Sequence, residues 1–472
     1  MTHSADGPVL EPEEPWEGLG LIGRNCILWD EEESRFKCWY PSFDPALPGE
    51  PVGARRRWAY AESADGVHWE RPDLGLTPFA GSTANNLLRL EGLDESAAVL
   101  WSVAKDPDDP DPGRRYKAIG MDRHPRRPGE PTWTGPDGED EWYRSQGRHM
   151  GCGVFIAFSA DGLTWRQREG WAGSGALIMD NTILHGYDPH TRRWVLWQRP
   201  RILPKHRVIG VSFSPDFEDW TFPECVLVPD EDDAPDTQFD QLSTVAASDG
   251  GFVGLLSASS AVRADRGVTD IVPQLVYSRD ARRWTRVDRG PFLGPKEAPP
   301  TWDDGCIIPF NPQAAGDEVF IFYYGKNAGH IWGEPTADGR VTRSAFGLVK
   351  LPRDRWVALT PTAGGSAAGG EGTLTTSLIS FCRPELRLNA DASSGSIAVE
   401  LVDCQSGRAV PGFGLEDCDP VRGDSLDHRV SWRGIGDLSA VIGTGSRQPQ
   451  VGRALVIRAR LRDDARLYGI SC

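Results

Sequence analysis

The chain lacks most of what would take it to a membrane, a nucleic acid or a metal. Basic charge is in deficit: 51 Lys and Arg against 68 Asp and Glu leave a net charge of −17. An acidic surface repels phosphate backbones and anionic lipid, so neither nucleic acid nor a membrane is an expected partner. No stretch approaches the roughly eighteen apolar residues of a spanning helix. The opening MTHSADGPVLEPEEPWEG has no basic n-region and no apolar h-region, so no signal peptide is read and a cytoplasmic protein is expected. The nine cysteines are odd in number and none sits in C-x-x-C, which disfavours a zinc site and a disulfide framework alike. No metal and no cofactor is expected. G-x-S-x-G is absent, which removes the serine-hydrolase elbow. GLGLIG, Gly18 to Gly23, fits G-x-G-x-x-G, but no strand precedes it and no helix follows, so it is not read as a dinucleotide site. DPDDPDPG, Asp106 to Gly113, lacks the calcium-loop spacing and its closing Glu, and reads as a solvated loop.

What the chain has instead is a repeat. SADGVHW (Ser63–Trp69) returns as SADGLTW (Ser159–Trp165), SPDFEDW (Ser214–Trp220) and SRDARRW (Ser278–Trp284), all S-x-D-x-x-x-W. LPRDRW, ending at Trp356, reads as a degenerate fifth copy. Each full copy follows an apolar or alternating run (RRWAYAE, GVFIAF, RVIGVSF, PQLVYS) with strand character. Asp and Ser cap tight turns by accepting backbone N–H bonds two or three residues on. The Trp then begins the next strand and wedges against a neighbouring sheet. The longest step between copies holds a polar, Pro-rich insertion, residues 107–147.

Further strands precede each copy, so each unit holds about four. Four-stranded units repeated about an axis make a β-propeller, which limits its edges by radial repetition. The fold class is therefore all-β: a five-bladed β-propeller followed by a smaller β-sandwich. The boundaries are an extension over 1–20, a propeller over 21–361, a linker over 362–372 (TAGGSAAGGEG) and a sandwich over 373–472, where alternation returns without helical periodicity.

Innermost strands of a propeller converge on one funnel, so the acids that open each unit are the candidates for chemistry. They are Asp180 in IMDNTIL, Asp236 and Asp240 in APDTQFDQ, and Glu297, Asp303 and Asp304 in PKEAPPTWDDGCI. The first two units offer Arg24, Asn25, Asn85 and Asn86 instead. Two carboxyl groups facing one funnel can divide acid and base work, one protonating a leaving group and one attacking or activating water. Asp180, Asp236 and Asp303 are taken as the catalytic set. Asn25, Asn86, Arg199, Asp240, Glu297, Asp304 and His330 are taken as substrate-binding, with Trp302 as a stacking platform.

Five units with an S-x-D-x-x-x-W turn, followed by a sandwich, resemble the five-bladed propeller glycoside hydrolases, the superfamily of invertase-like and arabinanase-like enzymes. RYKAIG (Arg115–Gly120), DTQFDQ (Asp236–Gln241), TWDDG (Thr301–Gly305), FYYGKNAGH (Phe322–His330), LRLNADASSGSIAVELVD (Leu386–Asp403) and ARLYGI are similar to an invertase-like branch with a C-terminal sandwich. The resemblance implies a glycoside hydrolase or transglycosylase, with furanosides as possible substrates and no redox cofactor. The invertase strings N-D-P-N-G and R-D-P are missing, and Glu224-Cys225 follows a turn tryptophan, on the wrong strand. A carbohydrate-binding propeller without turnover, a propeller recruited to cytosolic biosynthesis, and a phosphorylase stay open as alternatives.

Overall fold

The computed structural model describes residues 2–3, 7–18, 20–43, 56–92, 98–122, 153–168, 179–200, 207–259, 271–294, 302–303, 305–327, 344–361, 370–442 and 454–472. Strands dominate, and among these residues the helices are a four-residue turn (Ser439–Ile442) and a 3₁₀ turn (Pro112–Arg114). The chain divides into two compact units, one of residues 1–315 and 320–350, the other of 316–319 and 351–472.

In the first unit, β1 (Thr2–His3) pairs with a strand near residue 350, described below. β2 (Ile27–Asp30), β3 (Arg35–Phe43) and β4 (Arg56–Ser63) form an antiparallel sheet. The second sheet is ordered β5-β9-β8-β7-β6, with β5 Arg89–Glu91, β6 Ala98–Lys105, β7 Tyr116–Asp122, β8 Gly153–Ser159 and β9 Thr164–Gln167. The third is β10 (Met179–Asp188), β11 (Arg193–Pro200), β12 (Ile209–Ser214) and β13 (Glu224–Leu227). β14 (Gln238–Ala246), β15 (Phe252–Ser259), β16 (Ile271–Ser278) and β17 (Trp284–Arg286) follow. A single parallel pairing joins β16 to β18 (Cys306–Pro309), which continues through β20 (Glu318–Lys326) to β21 (Ser344–Pro352), with β19 (Gln313–Ala315) beside β20. β11, β12 and β15 are buried almost throughout, which explains why RWVLWQRP, IGVSFS and FVGLLSAS read as near-continuous runs rather than strict alternation.

The four repeat copies build one turn four times. In the first, Ser63 Oγ accepts the Gly66 N–H at 2.9 Å, Asp65 Oδ1 accepts those of Val67 and His68 at 2.8 Å, and Trp69 Nε1 donates to Gly66 O at 3.1 Å. Asp161, Asp216 and Asp280 accept the same two backbone bonds, and Trp165, Trp220 and Trp284 donate to the same carbonyl. The carbonyl-bearing residue is left-handed in every copy: Gly66 (φ 76°), Gly162 (78°), Phe217 (69°) and Ala281 (63°). LPRDRW builds a different turn, with Arg355 N donating to Pro352 O and Asp354 left-handed, because the Ser and Asp acceptors are replaced.

Each turn tryptophan packs on the sheet before its own. Trp284 meets Trp197 edge-on at 5.4 Å, Trp220 joins Ile119, Val154 and Ile156, and Trp165 joins Trp39 and Trp58. The first, Trp69, meets Phe322 of β20 at 5.8 Å, so the series returns on itself and the unit is propeller-like. Closure has a second fastening at the chain's start. His3 pairs with Val349, Leu10 exchanges backbone bonds with Phe346, and Gly20 bridges Ser344. Residues 107–122 of the expected insertion are not a separate excursion: they hold the 3₁₀ turn and the whole of a central strand, β7. Residues 123–147 of it, and 362–369 of the expected linker, lie outside the described residues.

The innermost strands β2, β6, β10, β14 and β18 meet in a buried knot of hydrogen bonds. Asn25 Nδ2 donates to Leu184 O at 3.0 Å and to Ser102 Oγ at 3.5 Å, and Asn25 Oδ1 accepts the Asn311 N–H at 2.9 Å. Asn311 Nδ2 donates to Leu184 O at 2.7 Å, and its Oδ1 accepts the Thr244 N–H at 2.9 Å. Asn25 holds φ 109°, a strained value that these bonds offset.

The second unit is a six-stranded antiparallel sheet built on one long strand, β23 (Arg387–Asp403). β22 (Glu371–Thr375) lies beyond β26 (Leu455–Asp463), and β24 (Arg408–Ala409), β25 (Val421–Arg429) and β27 (Arg466–Ser471) also pair with β23. Buried and half-exposed residues alternate along β26, so one face packs on a core of Leu388, Val399, Leu401, Ile457 and Trp432.

Candidate active site

Two inner strands are bulged where their first acids sit. In β10, Met179 pairs with Pro200 and Thr182 with Gln198, so Asp180 and Asn181 together oppose Arg199. In β14, Phe239 pairs with Ala258 and Gln241 with Ser257, which leaves Asp240 as the extra residue. Bulges take side chains out of the ladder and re-aim them, and they gather beside active sites.

Asp240 is fully buried and is met by three guanidinium groups. Arg24 Nη1 donates to Oδ2 at 2.8 Å, Arg199 Nη1 to Oδ1, and Arg207 Nη1 approaches Oδ1 at 3.4 Å. Arg24 also reaches Gln241 Oε1 at 3.3 Å, and Asn181 Nδ2 donates to Asp240 O at 2.9 Å. Losing one partner of such a buried set costs about 3–5 kcal/mol, because the remaining charges stay desolvated.

Asp303, 6 % exposed, accepts a 2.8 Å bond from the Tyr323 hydroxyl. Burial, reinforced by the neighbouring carboxyl, raises the Tyr323 pKa, so the phenol keeps its proton and acts as donor. Trp302 stacks on the Tyr323 ring at 5.9 Å and 13°. Trp302 and Asp303 seat on Gly325, where a Cβ would come within 2.5 Å of the indole and 2.9 Å of the Asp303 Cβ. The next residue, Lys326, is fully buried, and burial lowers its pKa to about 8.

Among the described residues, buried polar atoms in this region without a protein partner include Asp236 Oδ1, Asn181 Oδ1, Thr182 Oγ1 and Gln198 Oε1. Buried acceptors and hydroxyls are nearly always bonded, so such a group calls for a water or a ligand.

Asp180 lies in β10, and Asp236 in the turn before β14. Asn25 is consumed by the axial knot. Asn86 packs with both ends of its amide engaged, accepting from Trp16 Nε1 at 2.7 Å and donating to Tyr60 O at 2.7 Å and Tyr40 Oη at 2.9 Å. Glu297, Asp304 and His330 lie outside the described residues, as does the side chain of Asp180. Arg207, Gln198, Asn181, Tyr323 and Lys326 escaped the sequence reading. The lysine that ends the aromatic run FYYGK was a usable signal, because a charge there must be buried. Glu224 is exposed on β13 and paired with Arg282, consistent with setting it aside.

No protein-family model matches the sequence, and no curated protein does. Solved structures similar to the chain include a β-1,2-mannobiose phosphorylase from Listeria innocua (12 % identity, 74 % of this chain and 96 % of that one, TM-score 0.47). A thermostable family-43 glycoside hydrolase (12 %, 75 % and 95 %, 0.43) and an N-acetylgalactosamine deacetylase from F. plautii (15 %, 74 % and 97 %, 0.46) are also similar. Their names carry three different reactions.

Proposed function

We propose that the chain is a carbohydrate-active enzyme, a five-bladed β-propeller with a C-terminal β-sandwich, that cleaves or transfers a glycosyl unit. The observation that carries this reading is the pair of bulges that lifts Asp180–Asn181 and Asp240 out of their ladders, beside buried acceptors that lack a protein partner among the described residues. Asp180, Asp236 and Asp303 are the proposed carboxyl groups. One protonates the leaving oxygen, one attacks the anomeric carbon or activates water, and one binds a hydroxyl and tunes its neighbour's pKa. Asn181 and Gln198 accept from sugar hydroxyls, and Trp302 covers a ring. Asp240 holds the arginines rather than the sugar.

One observation favours a second reading. Arg24, Arg199 and Arg207 come from separate segments and converge on a single carboxylate, and guanidinium groups so gathered are a phosphate-binding device. Inorganic phosphate would then replace water as the glycosyl acceptor.

The test is a panel of aryl glycosides, furanosides first, and of oligosaccharides, each with and without phosphate. Free sugar without phosphate marks a hydrolase, and sugar phosphate formed only with it marks a phosphorylase. Asp303→Asn, which keeps an acceptor for Tyr323, is expected to lower turnover by about 10³-fold or more, some 4 kcal/mol of transition-state stabilisation. Turnover that survives Asn at 180, 236 and 303 together overturns the assignment.

A further inference from the structure

The axial knot divides the ring's centre, and beyond it lies a cavity of about 940 Å³, lined on its inner side by Asn25, Leu184 and Asn311. The cavity takes in the last residues of β10 and the third repeat turn, at Pro215 and Asp216, so it opens at the turn end, away from the bulges. Its size is that of a small-molecule site.

The walls are wrong for an anion. Lys105 is paired with Asp30 and Glu32, Lys117 with Asp106 and Asp109, and Arg114 with Glu218. They suit a neutral polyol. Tyr187 lines the cavity, stays 47 % exposed and leans edge-on against Trp194 at 5.6 Å, which leaves an aromatic surface for the C–H face of a sugar. His185 has one committed nitrogen. Thr244 Oγ1 accepts from Trp197 Nε1 at 2.7 Å and lies 2.8 Å from His185 Nδ1, which engages that nitrogen. Burial holds the His185 pKa down to about 4, so this ring is neutral at pH 7 and can exchange a hydrogen bond with a hydroxyl. Asp108, exposed on the lining, supplies an acceptor.

We infer that this cavity is a second saccharide-binding site, one that takes a neutral oligosaccharide through Tyr187, His185 and Asp108 and that does not communicate with the carboxylates. It rests on the carbohydrate reading above for its ligand class but not for its chemistry. Ligand-observed NMR on the full chain, with neutral gluco-, manno-, xylo- and arabino-oligosaccharides, tests it. Saturation transfer in wild type is expected to persist in Asp303→Asn and to fall at least tenfold in Tyr187→Ala and in Asp108→Ala. His185→Gln, which keeps an N–H donor, is expected to retain more binding than His185→Ala. Binding lost in Asp303→Asn but intact in Tyr187→Ala overturns the second site and leaves the enzyme reading standing. Absence of saturation transfer from every oligosaccharide overturns it too, as does spermidine binding that Tyr187→Ala abolishes, since that cavity would be cationic in preference.

Discussion

The two ends of the first unit are built on opposite terms. At the turn end, four copies of one seven-residue device repeat the same bonds, Asp to two backbone N–H groups and Trp to one carbonyl. At the bulged end a bulge recurs early in β6, β10 and β14, but the side chains do not repeat: β10 lifts out an Asp-Asn pair, β14 a lone Asp held by arginines, and the segment before β18 holds an Asp bonded by a phenol. Repetition marks where every sheet solves the same packing problem. Departure from it marks where side chains are placed for something other than stability. Mutations should therefore divide cleanly, turn-end changes acting on unfolding and bulged-end changes on turnover.

The strongest challenge to that division is Trp165→Ala. It empties a fully buried site among Trp39, Trp58 and Phe155, and is expected to cost about 3–5 kcal/mol in chemical denaturation while kcat stays within twofold. A large fall in kcat at a temperature where the variant is folded would erase the comparison. Gly325→Ala should do the reverse. Its methyl would collide with Trp302 and Asp303, lowering kcat more than tenfold for about 1–3 kcal/mol of stability.

Acid sharpens the contrast. Burial opposes ionisation of Asp30 at the end of β2, but bonds from Lys105 and Lys37 outweigh it and hold its pKa at about 2, below the ordinary 3.8. A depressed carboxyl stabilises the fold above its unfolded pKa, and that contribution is lost as pH falls from about 4 to about 2. Its size is about 2 kcal/mol. Melting curves across this range should show the loss in wild type and a smaller one in Asp30→Asn. The mildest effect belongs to the left-handed position of the turn. Ala281→Gly relieves backbone strain and gives up one buried methyl, for a net change within about 1 kcal/mol. Gly66→Ala at the equivalent place puts a Cβ 3.0 Å from Phe322 at φ 76°, and should lower the melting temperature clearly.

The turn end was legible because its information is local. Ser, Asp and Trp stand within seven residues, and their bonds close inside that span. The strands were legible for the same reason, and Asp240 stood out as an acid opening a unit and Arg199 as a charge closing an apolar run. What the sequence hid is long-range. Nothing in IGRNCIL tells that Asn25 bonds Leu184 and Asn311 rather than a ligand, since its partners lie 159 and 286 residues away. Asn86 looked like a funnel residue because ANNLL opens a unit, yet Trp16, from the stretch read as an extension, occupies its carbonyl. Phe217 and Ala281 took the glycine position of the turn without any sign of the left-handed backbone they must adopt.

The fastening of Thr2–His3 onto Lys350–Val349 has a kinetic corollary. His3 and Val349 stand 346 positions apart, so the circle's final seam forms late and across a long contour. Loop-closure entropy and high contact order make such a step slow. Until it is finished, the outer edge of β21 stands exposed as a template for another copy's amino-terminal segment, which makes exchange of that segment between molecules the natural misfolding route for this architecture.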